Sequence, residues 1–268
     1  RVYGFDEFRE GQLEALSRGV LGKDSIVLLP TGAGKTVVFQ LTCLLRPGPG
    51  IIVSPLIALM EDQLDNLARH GISNAGAITS AGSIAQREQV MAGLGTGSLL
   101  FAYVAPERFQ MENFRLQLRR LAVQMPIACI AIDEAHCVSE WGHDFRTSYL
   151  NIARNARSIC SHQGIAPPLL ALTGTASRSV LRDVQRELEI NDPDAIITPQ
   201  SFDRKELQFR IQRCKSSEKS VVLQGILAKT AQAFNQDVTR FFTPKGADSN
   251  CCIIFTPHTN AKYGVFEA

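Results

Sequence analysis

Apolar and β-branched residues cluster in short runs at 25–29, 51–53, 99–104, 127–132, 169–172 and 196–198, and runs of this length and composition predict strands. The longer stretches between them, including 37–45, 57–69, 114–123 and 179–188, repeat their apolar residues at helical spacing and predict helices. Alternation of the two implies an α/β fold, a parallel sheet covered by helices on both faces. The run Ile127-Ala-Cys-Ile-Ala-Ile132 is almost wholly apolar, as a central strand buried on both sides requires.

After about residue 200 the pattern changes. Ser201-Phe-Asp-Arg-Lys-Glu206 is polar, follows Pro199 and reads as an interdomain connection. Beyond it the sequence predicts a strand at 208–214, a helix at 218–233 and a strand at 252–255, the opening of a second α/β unit too short to complete a sheet. The expected division is therefore a first domain at 1–205 and an incomplete second one at 206–268. A length of 268 residues, at about 150 per domain, agrees with nearly two domains.

Composition narrows the class. Hydrophobic residues make up 45% and charged residues 20%, which excludes wholesale disorder and fibrous repeats. No run of about 18 apolar residues is present, so an ordinary membrane-spanning helix is not expected. Lysine plus arginine (28) exceeds aspartate plus glutamate (26) by only 2, so any polyanionic partner must be recognised by local features. Seven cysteines, at 43, 129, 137, 160, 214, 251 and 252, form no C-x-x-C pair, and their odd number suggests reduced thiols and an intracellular protein, in the cytoplasm or nucleoid if bacterial and in the nucleus if eukaryotic. The chain opens at Arg1 with neither methionine nor an apolar leader and reads as a piece of something longer.

The chemistry concentrates in two places. Pro30-Thr-Gly-Ala-Gly-Lys-Thr36 follows a predicted strand and opens a predicted helix, the setting of a phosphate-binding loop. Gly32 and Gly34, with Thr31 and Ala33, let backbone N–H groups approach phosphate oxygens at a helix N-terminus. Lys35 would neutralise the terminal phosphates and the Thr36 hydroxyl would ligate magnesium. The general pattern expects glycine at position 29, where this chain has Leu29. The partner of such a loop is an acid at the carboxyl end of a neighbouring strand, and Asp133 and Glu134 end the run 127–132. Asp133 would hold magnesium and Glu134 would orient or deprotonate the attacking water. A capped glycine turn and a solvated strand end are the competing readings, and the ordered pair outweighs them.

Asp133-Glu-Ala-His136, taken with Pro30 to Thr36, resembles superfamily 2 helicases. Four further segments make the chain similar to RecQ-family DNA helicases: Phe5-Asp-Glu-Phe-Arg-Glu-Gly-Gln12, Val53-Ser-Pro-Leu-Ile-Ala-Leu-Met-Glu-Asp-Gln63, Tyr103-Val-Ala-Pro-Glu-Arg108 and Ser139-Glu-Trp-Gly-His-Asp-Phe-Arg146. The likeness covers roughly residues 1–205 in motif order. It implies a RecA-like lobe that binds and hydrolyses ATP with Mg²⁺, and a 3′ to 5′ motor on single-stranded DNA that unwinds duplex or branched DNA.

The resemblance also implies roles for single residues. Phe5, Arg9 and Gln12 would recognise adenine by stacking and amide pairing, and the competing reading is an N-terminal helix burying Phe5 and Phe8. Trp141, His143, Phe145 and Arg146 fall in an aromatic-rich loop that would sense single-stranded DNA, although Trp141, Phe145 and Tyr149 also fit one face of an amphipathic helix. Ser54, Pro55 and Gln63, with Tyr103, Pro106 and Arg108, match segments facing the DNA backbone. Thr173-Gly-Thr-Ala176 resembles the segment that couples hydrolysis to movement, with Gly174 where alanine is usual and Ser177 where an acid is common; Thr173 and Thr175 would bond across to 133–136. His136 reads as a hydrogen-bonding coupler, because no Cys or His partner stands at zinc-like spacing. An RNA helicase of the same superfamily and a nucleotide-dependent binding module without turnover remain the alternatives. The rest of a second RecA-like lobe would have to follow in cis, and protein partners are not indicated.

Overall fold

The computed structural model describes residues 4, 6–139, 146–202, 207, 209–243, 250 and 252–254. The chain forms two compact units, Arg1–Asp203 and Arg204–Ala268.

The first unit is built on seven strands: β1 (Ser25–Leu28), β2 (Gly50–Val53), β3 (Ala75–Ile78), β4 (Phe101–Val104), β5 (Ile130–Ile132), β6 (Leu169–Thr173) and β7 (Ile196–Ile197). All pair in parallel, in the order β3-β4-β2-β5-β6-β1-β7. Period-two alternation sends successive residues into two separate cores. Ile51, Val53, Ile130, Ile132, Leu169 and Ala171 enter one. Ile52, Ala131, Leu170 and Leu172 enter the other. The second core is closed by α1 (Gln12–Val20), α2 (Lys35–Leu45) and α3 (Ile57–Arg69), through Ala15, Phe39 and Met60. The first is closed by α4 (Ile84–Thr96), α5 (Glu112–Gln124), α6 (Ile152–Ile159) and α7 (Arg178–Glu187), through Leu94, Leu118, Ile152 and Val184. Helices therefore cover both faces, as the alternating pattern requires.

Three elements escaped the apolar pattern. The β3 sequence is Ala-Gly-Ala-Ile; it lies at the sheet edge and buries only Ile78 fully. Helix α4 has a weak apolar stripe, and its start is fixed instead by a capping box between Ser83 and Gln86. In α6 the buried residues are Ile152, Ala153, Ala156 and Ile159, a helical spacing in which alanine stands where larger apolar residues would have signalled it.

The second unit contains α8 (Lys219–Ala233) and α9 (Val238–Phe241). Phe241 packs between Phe234 and Phe242, with ring centroids 5.2 and 4.9 Å away. The strands expected at 208–214 and 252–255 are absent from the described residues 209–214 and 252–254. Phe209 and Ile211 are 87% and 94% exposed. Apolar alternation makes a strand only when a neighbour completes the ladder, and no described residue pairs with either segment.

Candidate functional site

The carboxyl ends of β1, β6 and β5 lie side by side, and each carries a segment singled out from the sequence. From β1 the chain enters the loop 30–34 and then α2. Gly32 and Gly34 have φ of 82° and 79°, left-handed values that cost a residue with a Cβ about 1 kcal/mol or more. A side chain at Gly34 would also overlap the Gln12 amide. Leu29, at the position where glycine was expected, is a core residue 1% exposed, and its N–H donates to Thr173 O at 3.1 Å. The departure is thus occupied by packing beneath the loop.

Gln12 is buried, and its Nε2 donates to the carbonyls of Ala33 (2.9 Å) and Gly34 (3.1 Å) while its Oε1 accepts from Arg9 N (2.8 Å). The Arg9 guanidinium donates to Gly32 O. Both residues hold the loop from its α1 side. They line, with Thr36 and Gln63, a cavity of about 220 Å³. Phe5 lies outside the described residues.

Lys35 Nζ donates to Leu29 O at 3.2 Å. Across β6, Asp133 follows β5 and Glu134 takes φ 48°, ψ 49°, a strained conformation for a residue with a side chain. Burial, and then the Glu134 charge, pushes the Asp133 carboxyl up to about 6. The Glu134 carboxyl is held below its ordinary range, first by its hydrogen bond with His136. His136 Nδ1 lies 3.2 Å from Glu134 Oε2 and 2.9 Å from Thr173 Oγ1. Hydrogen bonding to Cys137, then to Glu134, raises the imidazole to about 10. Thr173 Oγ1 in turn meets Thr175 O at 3.1 Å and Thr175 N at 3.4 Å. The expected bridge from Thr173 to the acidic segment therefore runs through His136, while Thr175 bonds back to Thr173.

The segments read as DNA-facing divide. Tyr103 is 1% exposed, alternates inward on β4, packs edge-on against Phe39 at 6.5 Å and accepts from Gln40 Nε2 at 3.4 Å. It is a core residue and does not present itself to a nucleic-acid backbone. Ser54 is 2% exposed, because it continues β2 and its N–H bonds Val104 O at 3.2 Å; its hydroxyl also points inward. Gln63 sits on the face of α3 that lines the loop cavity. Asn66 and His70 share that face and were missed, although their spacing of three and seven from Gln63 marks it. Arg108 is partly exposed and donates to Thr79 O at 2.6 Å; burial, then the neighbouring Arg87, lowers its pKa. Arg146 Nη1 donates to Pro55 O at 2.9 Å, joining two of the segments. Trp141, His143 and Phe145 lie outside the described residues. Tyr149 is buried, with its hydroxyl donating to Asp133 O at 3.3 Å. A buried pair missed by sequence reading, Ser139 Oγ to Asp183 Oδ2 at 2.8 Å, ties the chain after the acids to α7.

Comparison with known proteins agrees with this arrangement. The family model of DEAD/DEAH box helicases matches residues 9–184. The chain is 36% identical over 210 residues to the ATP-dependent DNA helicase RecQ of Pasteurella multocida, covering 78% of this chain and 31% of that protein. It is 37% identical over 217 residues to the ATP-dependent helicase SGS1 of Saccharomyces cerevisiae, covering 79% and 14%. The chain thus spans about a third or less of the length of these relatives. Among solved structures, helicase Lhr of Mycobacterium smegmatis, bound to ssDNA and AMP-PNP, superposes with a TM-score of 0.61 at 20% identity, over 85% of this chain and 31% of that one. The helicase MrfA superposes at 0.57 and 16% identity, over 87% and 40%. The sheet is thus that of RecA-like helicase domains, and with the family model matched over well more than half of its length, the chain belongs to the DEAD/DEAH box helicase family.

Proposed function

We propose that this chain is the ATP-binding lobe of a RecQ-like DNA helicase, which binds and hydrolyses ATP with magnesium and moves 3′ to 5′ on single-stranded DNA. The observation that carries the reading is the row of β1, β6 and β5 ends. There Lys35 lies close enough for Asp133 and Glu134 to feel its charge, and His136 spans to Thr173 on the strand between them. In this reading Lys35 meets the terminal phosphates, Glu134 aligns water and accepts its proton, and Arg9 and Gln12 at the loop's α1 side contact adenine with Phe5.

Thr36 and Asp133 would hold magnesium. Both offer oxygen donors, which suits a hard cation, and a nearby cation would relieve the buried Asp133 charge. A metal held by one carboxylate, one hydroxyl and substrate phosphates needs no cluster of three ligating side chains, and none occurs among the described residues. When bound, the ion neutralises charge on the phosphates.

Arg146 and Arg108, with Pro55 and the aromatic segment around Trp141, His143 and Phe145, form the proposed DNA-facing side. Residues 206–268 are proposed as the opening of a second RecA-like lobe, whose remainder would supply an arginine finger. Such a finger is worth about 10³ to 10⁵ in rate, so the 268-residue chain should bind nucleotide but hydrolyse it slowly. Calorimetric titration with Mg-ATP tests the central claim. Uptake at one site that Lys35→Ala abolishes is expected, and a wild-type chain that takes up no nucleotide would overturn it. In the intact protein, Trp141→Ala should remove stimulation of hydrolysis by single-stranded DNA, and stronger stimulation by RNA would favour the RNA-helicase alternative.

A further inference from the structure

Gly174 stands where the family resemblance leads one to expect alanine, and its backbone does not require glycine. Its φ lies outside the left-handed range in which Gly32 and Gly34 sit. The reason for a missing Cβ is therefore what that atom would meet. A Cβ at 174 would lie 3.0 Å from Thr31 Oγ1, 3.1 Å from Lys35 Nζ and 3.5 Å from Thr31 N. These contacts arise because Leu28 pairs with Thr173 and Leu29 N bonds Thr173 O, which runs the end of β6 directly beside the start of the phosphate loop. The space that a methyl would claim is bordered by the Lys35 ammonium, which there donates to Leu29 O at 3.2 Å.

We propose that Gly174 is a positioning residue for Lys35: by leaving out one methyl group it lets the ammonium settle on the Leu29 carbonyl, a position the lysine must leave to reach a triphosphate. The inference rests on the nucleotide-binding reading given above. The ammonium ends a flexible chain of four methylenes, so it yields to a methyl at 174 more readily than the strand ends do. On this proposal it yields away from Leu29 O, to where Asp133 and Glu134, which already feel its charge, draw it. Apparent affinity falls by the fraction of molecules holding the competent arrangement, and a substitution that depopulates the competing one restores it. Glycine at 174 thus weakens nucleotide binding relative to alanine at the same place.

The test compares the wild-type chain with Gly174→Ala. Calorimetry should show Mg-ATP bound about three- to tenfold more tightly by the variant, the gain when a competent fraction of about one third to one tenth in the wild type becomes nearly complete. Peptide mapping after brief acylation at fixed pH should show the Lys35 amine modified several-fold faster, a change that a purely structural role for Gly174 would not produce. Unchanged or weaker binding, or an unchanged acylation rate, overturns the proposal. The double variant Thr31→Ala/Gly174→Ala, compared with Thr31→Ala, relieves the hydroxyl contact and protects against a folding failure of the single variant. A shift that persists assigns the effect to Lys35, and one that vanishes assigns it to Thr31 and refutes the inference. Wild-type binding in the same titration separates failure of this inference from failure of the nucleotide reading.

Discussion

His136 Nδ1 lies within hydrogen-bonding distance of two oxygens from different strands' ends, Thr173 Oγ1 at 2.9 Å and Glu134 Oε2 at 3.2 Å. One ring nitrogen thus meets both the residue proposed to act on water and the last residue of β6. The pair gives the imidazole reason to hold its proton, with the carboxylate as the charged partner.

The first prediction concerns that proton. With its pKa raised to about 10 from 6.5, His136 should remain a cation throughout the neutral range. Its contribution to stability is fully present below the unfolded value near 6.5 and is lost as pH rises through about 10. An NMR titration should find the His136 ring signals flat between pH 6 and 8, and Glu134→Gln should lower the midpoint from about 10 while Cys137 still holds it above 6.5. A wild-type midpoint near 6.5 would contradict the assignment.

Asp133 works in the opposite sense for the fold. Its carboxyl is raised from 3.8 to about 6, so folding is opposed by the buried charge above pH 6 and the penalty disappears below about 4. A carboxyl raised that far corresponds to about 3 kcal/mol. Asp133→Asn should therefore stabilise the chain by about 2 to 3 kcal/mol at pH 8 in urea unfolding, with the gain shrinking toward zero at pH 4. Magnesium and nucleotide together should stabilise the wild type and not the variant.

Much of this arrangement was legible in the sequence because its signals were local. Pro30 to Thr36 and the acids at 133–134 could be placed from a strand before each and, for the loop, a helix after it, and the sheet then brings their strand ends to either side of β6. What a linear pattern does not carry is depth. Tyr103 and Ser54 sit in recognisable motifs, yet β4 and β2 direct them inward, since which face of a central strand meets which helix is decided by the whole sheet. Gln63 shows the same dependence: its motif can be matched in the sequence, while the α3 face that sets it in one cavity with Gln12 depends on packing. The strands expected near 208–214 and 252–255 do not form in the described residues 209–214 and 252–254, because apolar alternation records a capacity to pair, and pairing needs a neighbour.

Close packing at the start of β2 gives a stability prediction independent of function. A Cβ on Gly50 would overlap Cys43 Sγ, which already touches Cys129 Sγ at 3.3 Å, all within the buried core. Gly50→Ala should cost about 1 to 3 kcal/mol by overpacking. Cys43→Ala in the same chain should recover most of that loss, giving a coupling of the two changes well above the few tenths expected for independent sites. Additive losses would show that the overlap is relieved elsewhere.

Arg146 decides whether the proposed DNA side is read correctly. Its Nη1 donates to Pro55 O at 2.9 Å and its N–H to Cys137 O at 3.0 Å, so it fastens the chain after the acids to the end of β2. A bond from a charged donor to a carbonyl is worth about 1.5 to 3 kcal/mol, and partial exposure places this one at the lower end. Arg146→Ala should thus lower stability by about 1.5 kcal/mol whether or not DNA is bound. A guanidinium has five N–H donors, so one bond to Pro55 leaves others to face phosphate. If they do, the variant should also flatten the salt dependence of single-stranded DNA binding by about 0.7 in log–log slope, the share of one phosphate contact on a single strand. A loss of stability with an unchanged slope would keep Arg146 as a strut between two segments and take it out of the nucleic-acid interface.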